Sequence, residues 1–290
     1  YYWDFNNDGS VDLEGAGLGV VTNTYGAGLF SVRVVVSNAV SEVARFTRLN
    51  YIRVSPSTLY VSLAGSHTQP YTNWATAATN IQSALAVAST GALIRVNSGT
   101  YYLSSQLTVD FPAILEGVNG PSNTIVQRSS GSCRLIQLTH PQAVVHGFTL
   151  RDGSIGTGAG VYMTGGTLSN CIVKGNTVAA YTYGGGINMA SGTVVDCTIE
   201  DNTGSQDSYG LGVYMGGGEM RNCTIRRNRG ATGQANGAGV YATGGRIRNC
   251  LIYSNVTVNA AAAGGGVYGG TVENWITIRM PSGPSGTVSI

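Results

Sequence analysis

The second half of the chain repeats a short alternation of apolar and polar positions with a period of about 26 residues. Four cysteines follow this repeat in steps of 26, 26 and 27 residues: Cys171, Cys197, Cys223 and Cys250. Four asparagines take the same steps: Asn176, Asn202, Asn228 and Asn255. The alternating stretches end in Gly or Asn, which accept the left-handed backbone of a sharp corner. The pattern therefore predicts short strands joined by tight corners.

Strands and corners at a constant period predict a parallel β-helix, in which each coil stacks about 4.8 Å from the next. Alternation within each strand assigns its side chains to two faces. The residues predicted to face the core are Leu168, Cys171, Val173, Val194, Cys197, Ile199, Met220, Cys223, Ile225, Ile247, Cys250 and Ile252. The residues predicted to face outward are Lys174, Glu200, Arg226 and Tyr253.

The cysteines and asparagines of the repeat are predicted to form ladders along the solenoid. Reduced, buried thiols are the favoured state of the cysteines, because free cysteine packs as a small hydrophobe. A disulfide between adjacent coils, or an adventitious metal, is the alternative. We expect the asparagine amides to satisfy backbone groups at a corner.

One segment upstream of the repeat has helical spacing. Its periodic apolar residues are Trp74, Ala77, Ala78, Ile81, Ala84, Leu85 and Ala88. They predict one amphipathic helix of about 16 residues that ends before Gly91. We expect this helix to cap the open end of the solenoid, since uncovered strand edges invite association.

Composition narrows the class of protein. With 43 glycines among 290 residues and only 10% charged residues, the chain is typical of a turn-rich β protein and not of a helical enzyme. Its 42% hydrophobic residues are too many for a disordered polymer. A net charge of +2 is too weak for a protein that binds nucleic acid through its charge. No apolar run reaches the length of a membrane span, and the composition suits an extracellular protein.

The stretch from Leu59-Tyr60-Val61 through NWATAATNIQSAL, IRVNSGTYY and HGFTLRDG resembles the pectin-lyase-like superfamily of right-handed parallel β-helices, over about residues 57–278. The Gly-Gly-x-Val-Tyr and Asn-Cys-x-Ile-x-x-Asn repeats look like those of large secreted bacterial proteins of this class. The resemblance implies an all-β solenoid that is secreted or held at a bacterial cell surface. It implies no single activity, since the superfamily includes lyases, hydrolases, epimerases, adhesins and phage proteins.

Residues 1–54 resemble the second part of a polycystic-kidney-disease (PKD) domain, an immunoglobulin-like β-sandwich. The resemblance rests on Trp3-Asp4-Phe5, Asn7-Asp8-Gly9, Tyr25-Gly26 and the strand FSVRVVVSN that begins at Phe30. It implies that the strands which usually precede the Trp-Asp-Phe signature are missing here. The expected organisation is a partial sandwich over 1–56, a β-helix over 57–280 and an irregular tail over 281–290.

The first candidate site is an outward column of charged residues. The catalytic candidates are Lys174, Arg226 and Arg151, and the flanking residues are Asp152, Glu200, Asp201 and Arg227. In a lyase, a Lys or Arg of lowered pKa would abstract the C5 proton of a uronate, while a cation or Ca²⁺ neutralised its carboxylate. The possible Ca²⁺ ligands are Asp152, Glu200 and Asp201. The alternative is a ladder of salt bridges on a solvated sheet, in which each pair contributes little.

The second candidate site is a column of outward tyrosines, interrupted by Asn188. The substrate-binding candidates are Tyr162, Tyr181, Tyr183, Tyr209, Tyr214, Tyr241 and Arg227, with Tyr268 continuing the column. Some of them line loops that vary while the coils repeat, over 177–183, 203–209, 229–236 and 256–263. Such rings are a platform for stacking sugars, or they only stabilise the strand stack.

A third candidate is a calcium site near the N-terminus. The sequence Asp4-x-Asn6-x-Asp8-Gly9-x-Val11-Asp12 matches the opening of a calcium loop, with oxygen ligands at alternate positions. The twelfth position is Gly15 instead of Glu, and Glu14 comes one place early. The alternative is a turn rich in Asx residues.

These observations leave three functional hypotheses open. The first is a non-catalytic extracellular module that is structural or adhesive, or that contacts a polysaccharide or cell-surface glycan. The second is a polysaccharide lyase or a related pectinase-like enzyme acting on uronic-acid glycans. The third is self-association through the exposed C-terminal coil. Polygalacturonase motifs are absent and the histidines His67, His140 and His146 are scattered, which favours the first hypothesis.

Overall fold

The computed structural model describes residues 1–230, 236–257, 265–273 and 276–278. From about residue 58 onward the described strands form a parallel β-solenoid, as the repeat predicts. The predicted tail at 281–290, most of the predicted loops at 229–236 and 256–263, and the end of the C-terminal coil lie outside these ranges. An antiparallel sheet precedes the solenoid.

Three long sheets and one short sheet build the solenoid. Sheet 1 contains Gly99–Leu103, Thr124–Arg128, Thr149–Arg151, Ile172–Lys174, Thr198–Glu200, Thr224–Arg226, Leu251–Tyr253 and Ile276–Ile278. Sheet 2 contains Leu107–Val109, Ile136–Leu138, Val161–Met163, Ile187–Met189, Val213–Met215, Val240–Ala242 and Val267–Tyr268. Sheet 3 contains Thr58–Val61, Ala92–Val96, Ala113–Gly117, Val144–His146, Thr167–Ser169, Thr193–Val195, Glu219–Arg221, Arg246–Arg248 and Thr271–Glu273. Sheet 4 contains Ser154–Ile155, Thr177–Val178, Thr203–Gly204 and Arg229–Gly230.

The strands within each sheet are stacked in register, so that equivalent residues of successive coils form columns. Val173, for example, pairs with Leu150 of the preceding coil and with Ile199 of the next. All twelve residues predicted to face the core are 2% exposed or less. The predicted assignment of inward positions is therefore confirmed.

At two corners of the coil, residues other than glycine adopt a left-handed backbone. The corner between sheets 3 and 1 is formed by Asn170, Asp196, Asn222 and Asn249, with φ between 46 and 56°. The corner after sheet 1 is formed by Asp152, Gly175, Asp201, Arg227 and Ser254, with φ between 54 and 64°. Asn and Asp tolerate this conformation better than other side chains, whereas Arg227 adopts it without that advantage.

The predicted asparagine ladder is present and satisfies backbone groups, as expected. Asn202 is fully buried, and its Oδ1 accepts hydrogen bonds from the backbone N and the Nδ2 of Asn176, at 3.0 and 2.9 Å. Its Nδ2 donates to Val173 O at 3.0 Å and to Asn228 Oδ1 at 2.9 Å. The same contacts recur at Asn228, so the ladder links successive coils through buried amides.

The helix is shorter than the apolar spacing predicts. It spans Ile81–Val87, seven residues where about 16 are expected, and Asn80 caps its first turn. The residues before it pair their backbone with the preceding segment, through bonds from Ser62 N to Ala78 O and from Ala78 N to Tyr60 O. The prediction of a long helix is therefore wrong, because a side-chain cap and local backbone pairing use the groups that a longer helix needs.

The first 54 residues contain a four-stranded antiparallel sheet. Its strands are Leu13–Glu14, Tyr2–Asp4, Gly28–Ser37 and Val43–Val54, in that spatial order. Several apolar side chains of the last strand are exposed, Phe46 at 56% and Tyr51 at 65%. The antiparallel sheet agrees with the expected β-sandwich remnant, while its assignment to a PKD domain stays a prediction.

Candidate functional site

Sheet 1 brings the predicted charged residues into one outward column. Arg151 pairs in register with Lys174, Lys174 with Glu200, and Glu200 with Arg226. Tyr253 continues the column after Arg226. Residues 75 positions apart in sequence therefore lie on four adjacent strands.

Glu200 is the centre of an ion-pair network in this column. Its Oε2 lies 2.7 Å from Arg226 Nε and 2.7 Å from Arg227 Nη2, and its side chain is only 11% exposed. Arg227 also binds Asp201, with Nε 2.8 Å from Oδ1 and Nη2 2.9 Å from Oδ2. Glu200 occupies the predicted outward position, but the two guanidinium groups cover it, so it is not exposed as expected.

The network changes the acid–base properties of its members. The hydrogen bond from Arg227 lowers the pKa of Asp201 below its usual value. The hydrogen bonds to Tyr253 and Glu200 raise the pKa of Arg226. The ion pair with Glu200 and the raised pKa both oppose a role of Arg226 as a proton-abstracting base, and its place in the catalytic set stays a prediction.

Asp152 and Arg151 are also engaged. Gln127 Nε2 donates to Asp152 Oδ2 at 2.8 Å, and Arg151 Nη2 donates to Gln127 Oε1 at 2.7 Å. Arg151 Nε lies 3.8 Å from Asp152 Oδ2. Asp152 thus turns toward the preceding coil, whereas Asp201 turns toward the following one.

Lys174 differs from the other charges of this column. It forms no ion pair with any residue that the structure describes, while Arg151, Glu200 and Arg226 each have at least one. Gly175 follows it, at a position where a Cβ atom would lie 3.1 Å from Asp152 Oδ1. Lys174 therefore makes no direct ion pair within the described residues, although its charge acts on Asp201 and helps to lower the pKa of that carboxyl group.

The predicted calcium ligands of the charged column do not converge. Glu200 and Asp201 bind arginines, and Asp152 binds Gln127. Within the described ranges, no group of three His, Cys, Asp or Glu side chains is placed to hold a metal ion. This donor set does not fit Ca²⁺ in the observed arrangement, because the Arg side chains already neutralise the carboxylates.

The N-terminal candidate loop is held by its own hydrogen bonds. Asp4 accepts from Asp8 N at 3.1 Å and from Gly9 N at 3.0 Å. Asp12 Oδ2 accepts from Phe5 N at 2.6 Å. Asn6 Oδ1 accepts from Asp8 N, and Asp8 accepts from a backbone N–H that lowers its pKa. These contacts are those of an Asx-rich turn, and calcium binding by this loop stays a prediction.

The predicted tyrosines form a double column on one side of the solenoid. In sheet 2, Tyr214 pairs in register with Tyr241, and Tyr241 with Tyr268. Beside them, Tyr183 bridges to Tyr209 in the adjoining loops. We call these five residues the tyrosine platform.

The rings of the platform pack against one another. Tyr214 stacks on Tyr241 and Tyr241 on Tyr268, with ring centroids 5.7 and 4.9 Å apart and planes within 9°. Tyr183 stacks on Tyr209 at 5.6 Å. The two columns also meet, since Tyr183 contacts Tyr214 at 4.8 Å and Tyr209 contacts Tyr241 at 5.2 Å. The sequence suggests two separate sets of tyrosines, and the structure joins them into one surface.

The platform presents ring edges and hydroxyl groups to solvent. Tyr183 is 40% exposed and Tyr268 is 43% exposed. Their hydroxyls, like those of the other three rings, have no hydrogen-bond partner among the described residues. Stacking uses the faces of the central rings, so a ligand meets a row of apolar edges and free phenolic hydroxyls.

Two predicted binding tyrosines lie apart from this platform. Tyr162 occupies the same column, but Asn188 separates it from Tyr214. The guanidinium of Arg134 lies 4.8 Å from the ring centroid of Tyr162. Tyr181 is 66% exposed and makes no ring contact within the described residues. Arg227, also predicted to bind substrate, is committed to Glu200 and Asp201 instead.

Sequence reasoning missed the role of Arg134. Its Nε donates to Gly158 O at 2.9 Å and its Nη2 to Thr157 O at 2.7 Å, which fixes the guanidinium over Tyr162. Burial lowers the pKa of Arg134. Arg134 lies in an irregular early coil, so no repeat relates it to the tyrosines.

A contact between His146 and Ser169 was also missed. His146 Nδ1 lies 2.9 Å from Ser169 Oγ, on neighbouring strands of sheet 3. The scattered histidines suggested no such pair. In-register columns could have indicated it, because His146 and Ser169 occupy equivalent positions in successive coils.

The cysteine ladder lies in the core. All five cysteines are free and buried, in agreement with the favoured expectation of buried thiols. Burial raises the pKa of Cys197. The ladder is therefore a packing feature and contributes no group to the surface.

Comparison with known proteins identifies the solenoid. The protein-family model described as the right-handed β-helix region matches residues 123–277 of this chain. The crystal structure of pectate lyase Pel9A is similar, with a TM-score of 0.54 and 16% identity over 77% of this chain, and the chain spans 62% of that protein's length. The pectin methylesterase from Aspergillus niger has a TM-score of 0.42 and 13% identity, over 81% of this chain and 93% of that one. No curated protein sequence matches significantly.

The likeness to these structures concerns the fold. No helix in the described ranges has the length and apolar character needed to cross a membrane. The family model covers more than half of the chain, and the stacked strands form the solenoid that it describes. The chain therefore belongs to the right-handed β-helix family and has a pectin-lyase-like fold.

Proposed function

We propose that this chain is a non-catalytic extracellular module that binds a polysaccharide or a cell-surface glycan through the tyrosine platform. The observation that carries this proposal is the packing of five tyrosines into one surface, whose hydroxyls have no hydrogen-bond partner in the described part of the chain. Tyrosine joins an apolar body to a polar tip, which suits sugars, whose surfaces alternate C–H groups and hydroxyls.

The state of the charged column supports binding without catalysis. Glu200 and Asp201 are neutralised by Arg226 and Arg227, and Asp152 is bonded to Gln127. An enzyme needs its acid, base or metal ligands free to meet the substrate. The extracellular location and bacterial origin implied by the repeats are parts of the same proposal.

Alanine substitution within the platform tests this function. We expect Tyr209→Ala to lower the affinity for a bound glycan at least tenfold, because it removes ring contacts to Tyr183 and Tyr241 together with one hydroxyl. The assay is affinity electrophoresis in gels that contain polygalacturonate, alginate or galactomannan. Tyr102→Ala is the matched control, since Tyr102 is 65% exposed on sheet 1. Equal losses in both variants, or none in either, would contradict a specific platform.

A second candidate function is a polysaccharide lyase that uses Lys174. It is favoured by the absence of an ion pair at Lys174 among the described residues and by the fold shared with a protein named as a pectate lyase. Lys174 would take the C5 proton of a uronate while the C5–H electron pair forms the C4–C5 double bond, the C4–O bond breaks, and the departing glycan oxygen takes a proton from solvent. Arg151, in the neighbouring register position, would lie near the substrate carboxylate.

The lyase candidate has its own test. It predicts a rise in the absorbance of unsaturated uronates when the protein is mixed with polygalacturonate, and loss of that rise in Lys174→Ala. Arg221→Ala is the control, because Arg221 is an exposed cation on sheet 3 with no ion pair in the described part of the chain. No product from the wild-type protein would remove this candidate.

A further inference from the structure

Asn188 interrupts the tyrosine column of sheet 2 at an unusual place. It is in register with Tyr162 on one side and Tyr214 on the other. Its side chain occupies an outward position, yet the residue is only 7% exposed. Its amide has no hydrogen-bond partner among the residues that the structure describes.

Neither polar atom of this amide is fully enclosed, so the small exposed part of Asn188 includes the amide. The amide of Asn188 offers two N–H donors and one carbonyl acceptor. The ladder asparagine Asn202, in the next coil, uses its amide in contacts with Asn176, Val173 and Asn228. Asn188 therefore does not act as a structural amide of this kind, and its polar atoms are left for a group from outside the chain.

Aromatic rings stand on both sides of this amide. Tyr162 and Tyr214 are two strand spacings apart, about 9.5 Å along the solenoid axis. Where the column is unbroken, stacked rings fill the equivalent space, as between Tyr214 and Tyr241 at 5.7 Å. Within the described residues, no ring contact joins Tyr162 to Tyr183 or to Tyr214. We call the position of Asn188 between Tyr162 and Tyr214 the slot.

One wall of the slot is held in place by Arg134. The guanidinium lies over the Tyr162 ring and is bonded to the carbonyl oxygens of Thr157 and Gly158. Its Nη1 donates to Gln106 Oε1 at 3.1 Å. Arg134 belongs to the coil before Tyr162, whereas Asn188 belongs to the coil after it, so the face of Tyr162 toward Asn188 remains available.

We infer that Asn188 is the hydrogen-bonding residue of a sugar subsite that takes a neutral pyranose with vicinal hydroxyls. This inference rests on the proposed glycan-binding function and names the sugar class for it. The amide accepts a hydrogen bond from one hydroxyl and donates to its neighbour, while Tyr162 and Tyr214 contact the C–H surfaces. Arg134 donates its hydrogen bonds to the neutral acceptors Gly158 O, Thr157 O and Gln106 Oε1. It is therefore not positioned to pair with the carboxylate of a uronate bound beside Asn188.

Two substitutions of Asn188 test the subsite. Asn188→Ala removes the amide, and we expect the affinity for soluble galactomannan to fall about tenfold while Tm is unchanged, because the amide makes no hydrogen bond to the described residues. Asn188→Tyr continues the aromatic column and fills the slot, and we expect the same loss of affinity with the fold retained. Asn222→Gly is the matched control, because it removes an exposed amide at a corner and glycine accepts the left-handed backbone there.

The outcomes separate this inference from the proposed function. Unchanged galactomannan affinity in Asn188→Ala, together with lost affinity in Tyr209→Ala, would overturn the subsite and leave the platform standing. A marked fall in Tm in Asn188→Ala would show a structural amide and also overturn the subsite. Binding of polygalacturonate in preference to galactomannan would overturn the neutral sugar class. No binding of any glycan by the wild-type protein would overturn both proposals.

Discussion

At the scale of single residues, neighbouring coils decide what each charged side chain does. Glu200 is nearly buried because Arg226 and Arg227 close over it, whereas Lys174 one coil earlier has no ion pair among the described residues. Both residues occupy the same column. The chemistry of a position on this solenoid therefore depends on the residues about 26 positions before and after it.

Substitution of Glu200 measures this dependence. Glu200→Gln leaves two guanidinium groups around a neutral amide, and we expect a loss of about 2 kcal/mol in the free energy of unfolding, measured with urea. Glu116→Gln is the control. Glu116 pairs with Arg95, their side chains are 31% and 38% exposed respectively, and such a solvated ion pair contributes at most about 1 kcal/mol. Equal losses in the two variants would contradict a special role for the covered carboxylate.

Asp201 gives a pH dependence of known sign. The hydrogen bond from Arg227 lowers its folded-state pKa, so its stabilising contribution is present above the unfolded pKa of about 3.9 and is lost as pH falls through the lower folded value. We expect Asp201→Asn to be less stable than the wild-type protein at pH 7, by below about 1 kcal/mol because Asp201 is exposed. The difference should disappear below about pH 4. A difference that grows in acid would contradict this assignment.

The loop from Asp4 to Asp12 tests the predicted calcium site. If the loop binds Ca²⁺, added CaCl₂ raises Tm and EGTA reverses the rise, because the metal binds only the folded loop. Asp8→Ala should abolish this shift. An equal Tm with and without calcium would contradict the calcium site. Asp4 and Asp8 would then serve only to accept hydrogen bonds from backbone N–H groups of the turn.

At the scale of elements, the coil is held together by ladders of identical residues. Asn202 links three successive coils through its amide, and the in-register strands place each apolar side chain on its equivalent in the next coil. A solenoid of this kind is stabilised mainly by contacts between neighbouring repeats. Damage to one coil should therefore weaken its two interfaces.

Removal of one ladder amide tests this view. Asn202→Ala removes the acceptor for two hydrogen bonds from Asn176 and leaves those buried groups unpaired, and we expect a loss of about 2–3 kcal/mol. Asn249→Gly is the control, since its exposed amide has only one long contact, 3.5 Å from Asn222 Oδ1, and glycine accepts the left-handed backbone at this position. The Tm of both variants is measured by thermal unfolding. Equal Tm values would contradict a stabilising role for the asparagine ladder.

Much of the architecture could be predicted from the sequence because the repeat is regular. Period and alternation place Cys197 and Ile199 in the core and Glu200 on the opposite face. The helix was predicted too long because apolar spacing does not report the backbone pairing of Ala78. The joining of Tyr183 to Tyr214 could not be predicted, since it depends on how a loop returns to the sheet.

At the scale of the whole molecule, the stacked coils turn a short repeat into long surfaces with different chemistry. Sheet 1 carries paired charges, and the side formed by sheet 2 and its loops carries the tyrosine platform. A glycan chain is itself a linear repeat, so a surface built from equivalent positions of successive coils offers it a series of similar contacts. We therefore propose glycan binding on the tyrosine side and no turnover on the charged side.

One measurement tests this assignment most directly. The purified chain is incubated with polygalacturonate, alginate or galactomannan, and the bound fraction and the unsaturated-uronate absorbance are read from the same tubes. We expect a bound fraction that falls in Tyr209→Ala, and no product from any of the polymers. Product that accumulates with the wild-type chain and disappears in Lys174→Ala would contradict it and make the charged column a catalytic site.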